Sequence, residues 1–236
     1  LLILPSLPVS ASEVYRIPVK NEVEKGLYAF LQRAFEEAEE AGAEVVILDI
    51  DTPGGFVDTA GDIGKLMDDT PLTTIAFINN DALSAGAFIA LHADEIYMVP
   101  SGRIGAAAVI DGAGNAAEDK AVSAWSTAMI TAAESSNRNP EYALAMADKS
   151  VDLPEYRAPE GKLLTLSANE ALKVGYSEGT VASFEELITK LDLSEAKVTS
   201  LNETFAEKVA RFVTNPIIVP ILLSIASLGL IVELYS

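Results

Sequence analysis

The sequence has no cysteine, a single histidine and a shortage of basic residues. Without cysteine, thiol nucleophiles and cysteine-ligated metal sites are excluded. Lysine and arginine together number 16 against 35 aspartates and glutamates, which gives a formal net charge of −19 at pH 7. Because nucleic-acid binding depends on basic surface that neutralises phosphates, this acidic chain is not expected to bind nucleic acid.

The single histidine bears on which catalytic triads are available. His92 follows Ser84 within one predicted helix. At about 1.5 Å per residue, the two lie about 12 Å apart along the helix axis. A Ser-His-Asp triad built on Ser84 is therefore not expected, and we interpret His92 as a surface or packing histidine.

Composition and periodicity predict one principal α/β domain with attachments. Half of the 236 residues are hydrophobic, which is enough to bury a full α/β core. Strands alternate with helices in the predicted order, as is typical of right-handed crossovers and a mainly parallel sheet. The predicted strands are residues 14–19, 45–50, 73–78, 95–99 and 163–166, and the predicted helices are residues 22–40, 57–67, 84–92, 121–135, 168–173 and 184–191.

Two strand-to-helix turns, side by side in the predicted sheet, carry the most specific signal. The second predicted strand is followed by the glycine-rich segment 51–55, and the third is followed by Ser84 at a helix start. Both turns lie at the carboxyl edge of a parallel sheet, where open α/β folds gather their reacting groups. The N–H of Gly54 or Gly55 and that of Ala85 can then converge on one oxygen beside the Ser84 hydroxyl. This is the geometry of acyl transfer with an oxyanion hole.

Each of these turns also has an ordinary structural explanation. Glycines in a turn supply positive φ at little steric cost. A serine at a helix start commonly caps the helix by accepting a hydrogen bond from an unpaired N–H. Taken singly, either motif is more often structural than catalytic, and it is their pairing on adjacent turns that favours a catalytic site.

The chain carries three glycine- and alanine-rich motifs in order, followed by a fourth short motif. They are Asp51-Thr52-Pro53-Gly54-Gly55, Ser84-Ala85-Gly86-Ala87-Phe88-Ile89-Ala90, Pro100-Ser101-Gly102-Arg103-Ile104-Gly105-Ala106 and Asn137-Arg138-Asn139-Pro140. Over roughly residues 14–191, this order resembles the membrane-bound NfeD-type serine peptidases, which are relatives of the Clp protease subunit and of signal peptide peptidase A. The resemblance implies a crotonase/Clp-protease-like fold, in which βα units wind into a β-superhelical spiral.

With histidine disfavoured, a lysine or a carboxylate must activate the serine. A lysine can act as a base when burial lowers its pKa toward the working pH. The negative charge of this chain raises the pKa of a lysine, so burial must outweigh that effect. Lys120 lies at the head of an alanine-rich predicted helix, and the resemblance implies that it forms a Ser/Lys dyad with Ser84. The alternative is a solvated lysine at a helix start. Lys149 and Lys162 lie in polar or loop-like surroundings and are less favoured bases.

Both ends of the chain are apolar. Residues 1–11 resemble the end of a secretory signal peptide, with small residues at the position of a cleavage site. Residues 216–232 contain no charged residue and predict a transmembrane helix at the lower limit of length. The alternative is a hydrophobic element packed on the domain or on a partner. Between the core and this segment, residues 201–213 predict an amphipathic helix that lies on a membrane or docks on its own domain.

These features predict four parts in the chain. Residues 1–11 are the remnant of a signal peptide or N-terminal apolar segment, and residues 12–198 are a serine peptidase domain. Residues 199–214 form an amphipathic linker helix, and residues 215–236 form a transmembrane segment. We expect the protein to be bound to the cell membrane, with its catalytic domain outside the cytoplasm.

The predicted activity is that of a membrane-anchored serine endopeptidase. Ser84 is the expected nucleophile and Lys120 the general base, with the N–H groups of Gly54 or Gly55 and of Ala85 as oxyanion donors. No metal or other cofactor is expected. The resemblance further implies that the substrates are hydrophobic peptide segments, particularly the carboxyl-terminal regions of stomatin- or flotillin-like membrane partners. It also implies contact with membrane lipid and assembly into homo-oligomers.

Two other functions remain open. A crotonase-type acyl-CoA enzyme would share the fold and a backbone oxyanion hole, but it needs cationic groups near the CoA phosphates and usually a catalytic carboxylate. The acidic composition and the apolar ends disfavour it. A non-catalytic scaffold for stomatin- or flotillin-like assemblies would retain the peptidase fold, and the presence of both Ser84 and Lys120 argues against that function.

Overall fold

The computed structural model describes residues 13–111, 114–115, 117–215 and 218–235, so the predicted remnant of a signal peptide lies outside the described residues. Strands and helices alternate over the first half of the chain, as predicted. The strands are β1 (Glu13–Val23), β2 (Val45–Gly55), β3 (Thr73–Leu83), β4 (Glu95–Met98), β5 (Arg103–Gly105), β6 (Thr165–Ser167), β7 (Gly179–Thr180) and β8 (Lys197–Ser200). The helices are α1 (Lys25–Glu40), α2 (Val57–Asp69), α3 (Ala85–Leu91), α4 (Asp119–Ser135), α5 (Pro140–Ala147), α6 (Ala168–Lys173), α7 (Phe184–Lys190), α8 (Phe205–Thr214) and α9 (Ile218–Tyr235).

Within the described residues, the strands form one eight-stranded mixed sheet. The main strand order is β6-β5-β3-β2-β1-β8, and β4 pairs with both β3 and β7. Each of these pairs is parallel except the antiparallel pair β5–β6. Strand β3 pairs with β4 through residues 75–78 and with β5 through residues 81–83. The sheet therefore branches just before Ser84, and the predicted α/β class is confirmed.

Three strands extend beyond their sequence-predicted ends: β1, predicted to end at residue 19, continues to Val23, so the helix predicted to start at residue 22 starts at Lys25 instead. The strand predicted to end at residue 50 continues to Gly55, and the strand predicted to end at residue 78 continues to Leu83. Register shifts at residues 20–22 of β1 and 50–52 of β2 let pairing resume, so that Gly55 lies opposite Val23. The prediction of a turn at residues 51–55 was wrong because the local sequence is turn-like, whereas pairing with a distant strand determines the conformation.

The sheet separates two hydrophobic cores. Val46 and Leu48 of β2 face the larger core, whereas Ile47 faces the smaller one, as expected from the two-residue period of a strand. Phe184 and Leu187 of α7 cover the smaller core. All of α3 is buried in the larger core, so the start of this helix, where Ser84 lies, is fixed in position.

Helix α8 docks on α1 through charged side chains. Arg33 Nε donates to Glu207 Oε1 at 2.7 Å, and Arg211 Nε lies 2.6 Å from Glu24 Oε1. Arg211 also pairs with Glu203. Of the two sequence-based alternatives, docking on its own domain is therefore observed. The apolar residues of α8 nevertheless remain exposed.

Helix α9 has the length and composition of a membrane span. It contains 18 residues with a mean hydropathy of 2.2, and none of them is buried. Among the helices described, it is the one candidate of this kind. This finding supports the C-terminal transmembrane segment predicted from the sequence.

Candidate active site

Ser84 occupies the junction between β3 and α3 in a strained backbone conformation. Its φ is 53° and its ψ is −121°, and a positive φ at a residue with a side chain costs on the order of 1–3 kcal/mol. Such strain persists only where the surrounding structure imposes it, and it is concentrated at functional sites. A serine on a sharp, strained strand-to-helix turn is also how α/β-hydrolases expose their nucleophile.

The Ser84 hydroxyl does not cap α3. Ser84 is the N-cap residue, but its side chain makes no capping hydrogen bond. The helix is held by packing instead. Gly86 permits the close approach of α3 to Thr52 of β2, since a Cβ atom at Gly86 would lie 2.5 Å from Thr52 Cγ2. The interpretation of Ser84 as a helix cap is therefore wrong, and its hydroxyl remains available for chemistry.

Two glycines from different motifs enclose Ser84. Gly54 has a φ of +109°, and a Cβ atom at this position would lie 2.4 Å from Ser84 Cβ and 2.9 Å from Ser84 Oγ. On the other side, the Ser84 N–H donates to Gly105 O at 2.9 Å. A Cβ atom at Gly105 would lie 2.4 Å from Leu164 O. The three glycine- and alanine-rich motifs of the sequence thus meet at Ser84.

Two of the predicted oxyanion donors, Ala85 and Gly54, differ in whether their backbone N–H already makes a hydrogen bond. Ala85 begins α3, and the amides of a first helical turn have no partner within the helix. By contrast, the Gly54 N–H donates to Thr52 Oγ1 at 3.1 Å, and the Thr52 hydroxyl in turn donates to Asn21 O at 2.5 Å. Sequence reasoning gave Thr52 no role of its own, although it lies inside the first motif.

The third predicted donor, Gly55, has a more favourable orientation. The Phe56 N–H donates to Val23 O at 2.8 Å. Because consecutive amides of an extended strand point to opposite sides, the Gly55 N–H points away from β1. That is the side of β2 on which β3 and Ser84 lie. Of the two glycines left open by the sequence, the geometry favours Gly55.

Lys120 lies in the first turn of α4 and is exposed. Trp125 anchors this helix: its ring packs on Phe88 of α3 with a centroid distance of 4.8 Å, and its Nε1 donates to Ala107 O at 2.6 Å. Within the described part of the chain, no hydrogen bond joins Lys120 to Ser84. The structure places α3 and α4 side by side without a hydrogen bond between these two side chains.

Three other residues could in principle serve as the base: His92, Lys149 and Lys162. His92 Nδ1 lies 2.8 Å from Asp68 Oδ1, and its ring packs edge-on against Phe88 with centroids 4.6 Å apart. The interpretation of His92 as a packing histidine is confirmed. Lys149 and Lys162 are exposed, like Lys120, so exposure does not distinguish among the three lysines.

Arg138 is a buried residue, and the sequence analysis assigned it no role beyond its place in the fourth motif. Its Nε donates to Tyr176 O at 3.1 Å and its Nη1 to Ala93 O at 2.9 Å. Desolvation lowers the pKa of Arg138, although the carboxylate of Glu178 lies only 3.6 Å away. The guanidinium fixes the chain just beyond the end of α3, so Arg138 supports the helix that follows Ser84.

The chemistry available at this site is that of a hydroxyl nucleophile. Ser84 lies beside backbone amides that can stabilise an oxyanion on a carbonyl under attack. Across the residues that the structure describes, no group of three or more histidine, aspartate or glutamate side chains is placed to hold a metal ion. The site thus offers a serine hydroxyl beside backbone N–H donors.

Comparisons with known proteins identify relatives of this chain. The model of the NfeD1b N-terminal domain family matches residues 13–201. Membrane protein NfeD1b of Bacillus subtilis is 53% identical over 94% of this chain. The membrane-bound protease PH1510 of Pyrococcus horikoshii is 26% identical over 98% of it. The chain spans 51% and 55% of these two relatives, so it corresponds to about half of each.

Solved structures show the same fold. A lysine-to-alanine variant of the 1510-N membrane-bound stomatin-specific protease, in complex with a substrate peptide, has a TM-score of 0.75 and 25% sequence identity. The match covers 88% of this chain and 100% of that one. ClpP1 from Listeria monocytogenes has a TM-score of 0.55 at 18% identity, covering 71% of this chain and 91% of its own. These matches confirm the Clp-protease-like fold that the sequence motifs implied.

Proposed function

The chain belongs to the NfeD1b N-terminal domain family, and from this premise we propose that it is the catalytic part of a membrane-anchored serine endopeptidase. Ser84 is the nucleophile and Lys120 the general base. The observation that carries this proposal is the strained conformation of Ser84, with a φ of 53° and a hydroxyl that makes no capping hydrogen bond. Backbone strain of this kind is concentrated at functional sites, and the free hydroxyl is available to act as a nucleophile.

The reaction proceeds in two steps. Ser84 Oγ attacks the peptide carbonyl carbon while its proton passes to the Lys120 amine, and the carbonyl oxygen becomes an oxyanion held by the N–H groups of Ala85 and of Gly55 or Gly54. The C–N bond then breaks, and the lysine ammonium returns the proton to the leaving amine. Water attacks the resulting acyl-enzyme by the same route, releasing the acid and regenerating the Ser84 hydroxyl.

Lys120 must be covered before it can act as a base, because it is exposed in the single chain. A bound peptide or a second copy of the chain would supply this cover. We therefore keep homo-oligomerisation as part of the proposal. Helix α4 is already anchored beside α3 through Trp125 and Phe88, so only its first turn needs to reorganise.

The substrates proposed are hydrophobic peptide segments, particularly the carboxyl-terminal regions of stomatin- or flotillin-like membrane partners. Support comes from the 1510-N protease, which is described as stomatin-specific and has been solved with a substrate peptide. Its solved form carries a lysine-to-alanine substitution. We also propose that the domain lies outside the cytoplasm, anchored by α9.

Mass spectrometry of a hydrophobic peptide library tests this function. The detergent-solubilised chain is incubated with the library, which includes carboxyl-terminal peptides of stomatin-like proteins, alongside Ser84→Ala, Lys120→Ala and the control Lys149→Ala. We expect cleavage by the unaltered chain and by Lys149→Ala, and none by the other two. If all four preparations cut equally, the activity belongs to a contaminant and the assignment fails.

A non-catalytic scaffold is the second candidate, and the exposed position of Lys120 is the observation that favours it. A scaffold would need neither the hydroxyl nor the amine. If no preparation cleaves any peptide, while the Ser84→Ala variant still binds a stomatin-like partner as tightly as the unaltered chain, the scaffold replaces the peptidase.

A further inference from the structure

Helix α8 has an exposed apolar face with no partner in the domain. Its four large apolar residues are Phe205, Val209, Phe212 and Val213, a spacing of four, three and one that places them on one side of the helix. Phe205 is 83% exposed and Phe212 is 59% exposed. Large aromatic side chains left this open on a folded domain mark a surface that contacts something apolar.

The opposite face of α8 is fully engaged. Glu207 and Arg211 lie across the helix from the apolar residues, and both are paired to α1 or its N-terminal cap through Arg33 and Glu24. Arg211 Nη2 also donates to Glu22 O at 3.0 Å. These contacts fix the rotation of α8 about its axis. Because the charged face is held against the domain, the apolar face points away from it.

The position of α8 in the chain indicates what covers this face. Helix α9, the candidate membrane span, begins at Ile218, only four positions after α8 ends at Thr214. A bilayer that contains α9 must therefore have its surface within a few residues of α8. From these two observations we infer that α8 lies in the bilayer interface, with Phe205, Val209 and Phe212 among the lipid headgroups and upper acyl chains.

Two arguments favour lipid over a second copy of the chain. Ten residues of helix are about 15 Å long, and four side chains on one face cannot provide the roughly 800 Å² per partner of a standard protein interface. Lipid contact needs no such minimum, because α9 anchors the chain and makes the insertion of α8 an intramolecular event at high effective concentration.

Apolar contact, not charge, drives this insertion. The chain carries a net charge of −19, which repels an anionic surface. On α8 itself, Lys208 is an exposed cation whose long side chain can reach the headgroups. The interfacial helix should therefore bind zwitterionic bilayers at least as well as anionic ones.

The consequence is a fixed orientation of the whole domain. A groove of about 480 Å³ separates α8 from the start of α2, and it is lined by Ala210, Thr214 and the exposed Phe56 among others. Phe56 directly follows Gly55, so this groove runs from α8 to the strand end beside Ser84. This inference concerns membrane contact alone and does not depend on peptidase activity.

Site-directed fluorescence on the full chain tests the inference, and the absence of native cysteine allows single labels without further changes. Phe205→Cys and Phe212→Cys are each labelled with an environment-sensitive dye and reconstituted in phosphatidylcholine vesicles containing lipids spin-labelled near the headgroup. Lys65→Cys, on the exposed side of α2, is the matched control outside the bilayer. Leu228→Cys, in α9, is the control deep within it.

We expect several-fold stronger quenching by the shallow spin label at positions 205 and 212 than at position 65, and quenching at position 228 mainly by a spin label deep in the acyl chains. The same pattern should appear with phosphatidylglycerol present. Quenching at 205 and 212 no greater than at 65 would overturn the inference, as would disulfide cross-linking between Phe212→Cys chains without lipid quenching. Quenching that requires anionic lipid would also overturn it.

Discussion

Gly54 and Ser84 are packed so closely that no side chain fits between them. A Cβ atom at Gly54 would lie 2.4 Å from Ser84 Cβ and 3.0 Å from Leu83 O. The two residues come from different motifs: Gly54 lies in β2, and Ser84 directly follows the adjacent strand β3. The strained serine is thus supported directly by the glycine-rich strand end, and the two features that the sequence singled out form one unit.

Gly54→Ala should displace Ser84. The new Cβ must move Ser84, and alanine is also strained at a φ of +109°; we expect loss of peptide cleavage and a stability decrease of about 1–3 kcal/mol. The matched control is Gly42→Ala, because Gly42 has a φ of +72° but nothing within 4 Å of a new Cβ. Cleavage assays and urea unfolding of both variants check this. Full activity in Gly54→Ala would contradict the packing described.

Ser84→Gly should be more stable than Ser84→Ala. Both variants lack the hydroxyl, but only glycine adopts a φ of 53° with a ψ of −121° at little cost. We expect a difference of about 1–2 kcal/mol in the free energy of unfolding in favour of glycine. Urea denaturation of the two proteins measures it. Equal stabilities would show that the backbone at Ser84 relaxes without cost and that no strain is stored there.

Arg138→Met should destabilise the domain strongly. The guanidinium is buried and donates to the carbonyls of Tyr176 and Ala93, and its removal leaves buried acceptors without donors, at about 1–3 kcal/mol each. Arg157→Met is the control, since Arg157 is exposed and pairs only at the surface with Glu170. Chemical denaturation should show a large loss for the first variant and little change for the second. Similar losses of stability in both variants would contradict the role of Arg138 in supporting α3.

The docking of α8 should weaken in acid. A hydrogen bond from Arg33 lowers the pKa of Glu207 to about 2, below its usual value of about 4.3. The stability that this pair contributes, on the order of 1 kcal/mol, is therefore complete above the usual pKa and is lost as the pH falls from about 5 to 2. Hydrogen exchange in α8, corrected for intrinsic pH dependence, measures it.

The matched variant for this titration is Glu207→Gln. It removes one ionisable group while keeping a similar shape, so protection of α8 should be lower at neutral pH and should fall less through this range than in the unaltered chain, where Arg211 also pairs with Glu24 and Glu203. Protection in the unaltered chain that stays constant across the same range would show that the ion pair with Arg33 does not hold α8 in place.

The sequence predicted the α/β class, the position of Ser84 and its neighbouring glycines, and most helices to within a few residues. It missed the extension of β2 through residues 51–55, because Asp-Thr-Pro-Gly-Gly is turn-like locally and its strand conformation depends on pairing with Val23 of β1. It also missed β5, β7 and β8, which have two to four residues each. Strands this short show no periodicity of their own.

The site was predicted in part for similar reasons. Glycines and a serine in ordered motifs are visible in a sequence, whereas the hydrogen bond from the Gly54 N–H to Thr52 depends on side-chain geometry. That contact favours Gly55 over Gly54 as the oxyanion donor, a choice that the sequence left open. For α8, the sequence predicts either docking on the domain or contact with a membrane. Periodicity alone does not show that Glu207 on its charged face pairs with Arg33 of α1.

Covalent labelling of Ser84 tests the proposed dyad most directly. The full chain is treated with a fluorophosphonate in the presence of a hydrophobic peptide, and the modified residue and its rate of modification are read by mass spectrometry. We predict a single adduct on Ser84, formed about 10²–10⁴-fold more slowly in Lys120→Ala, as expected for loss of a general base, and at an unchanged rate in Lys149→Ala. An adduct elsewhere, or a rate that does not depend on Lys120, would contradict the account.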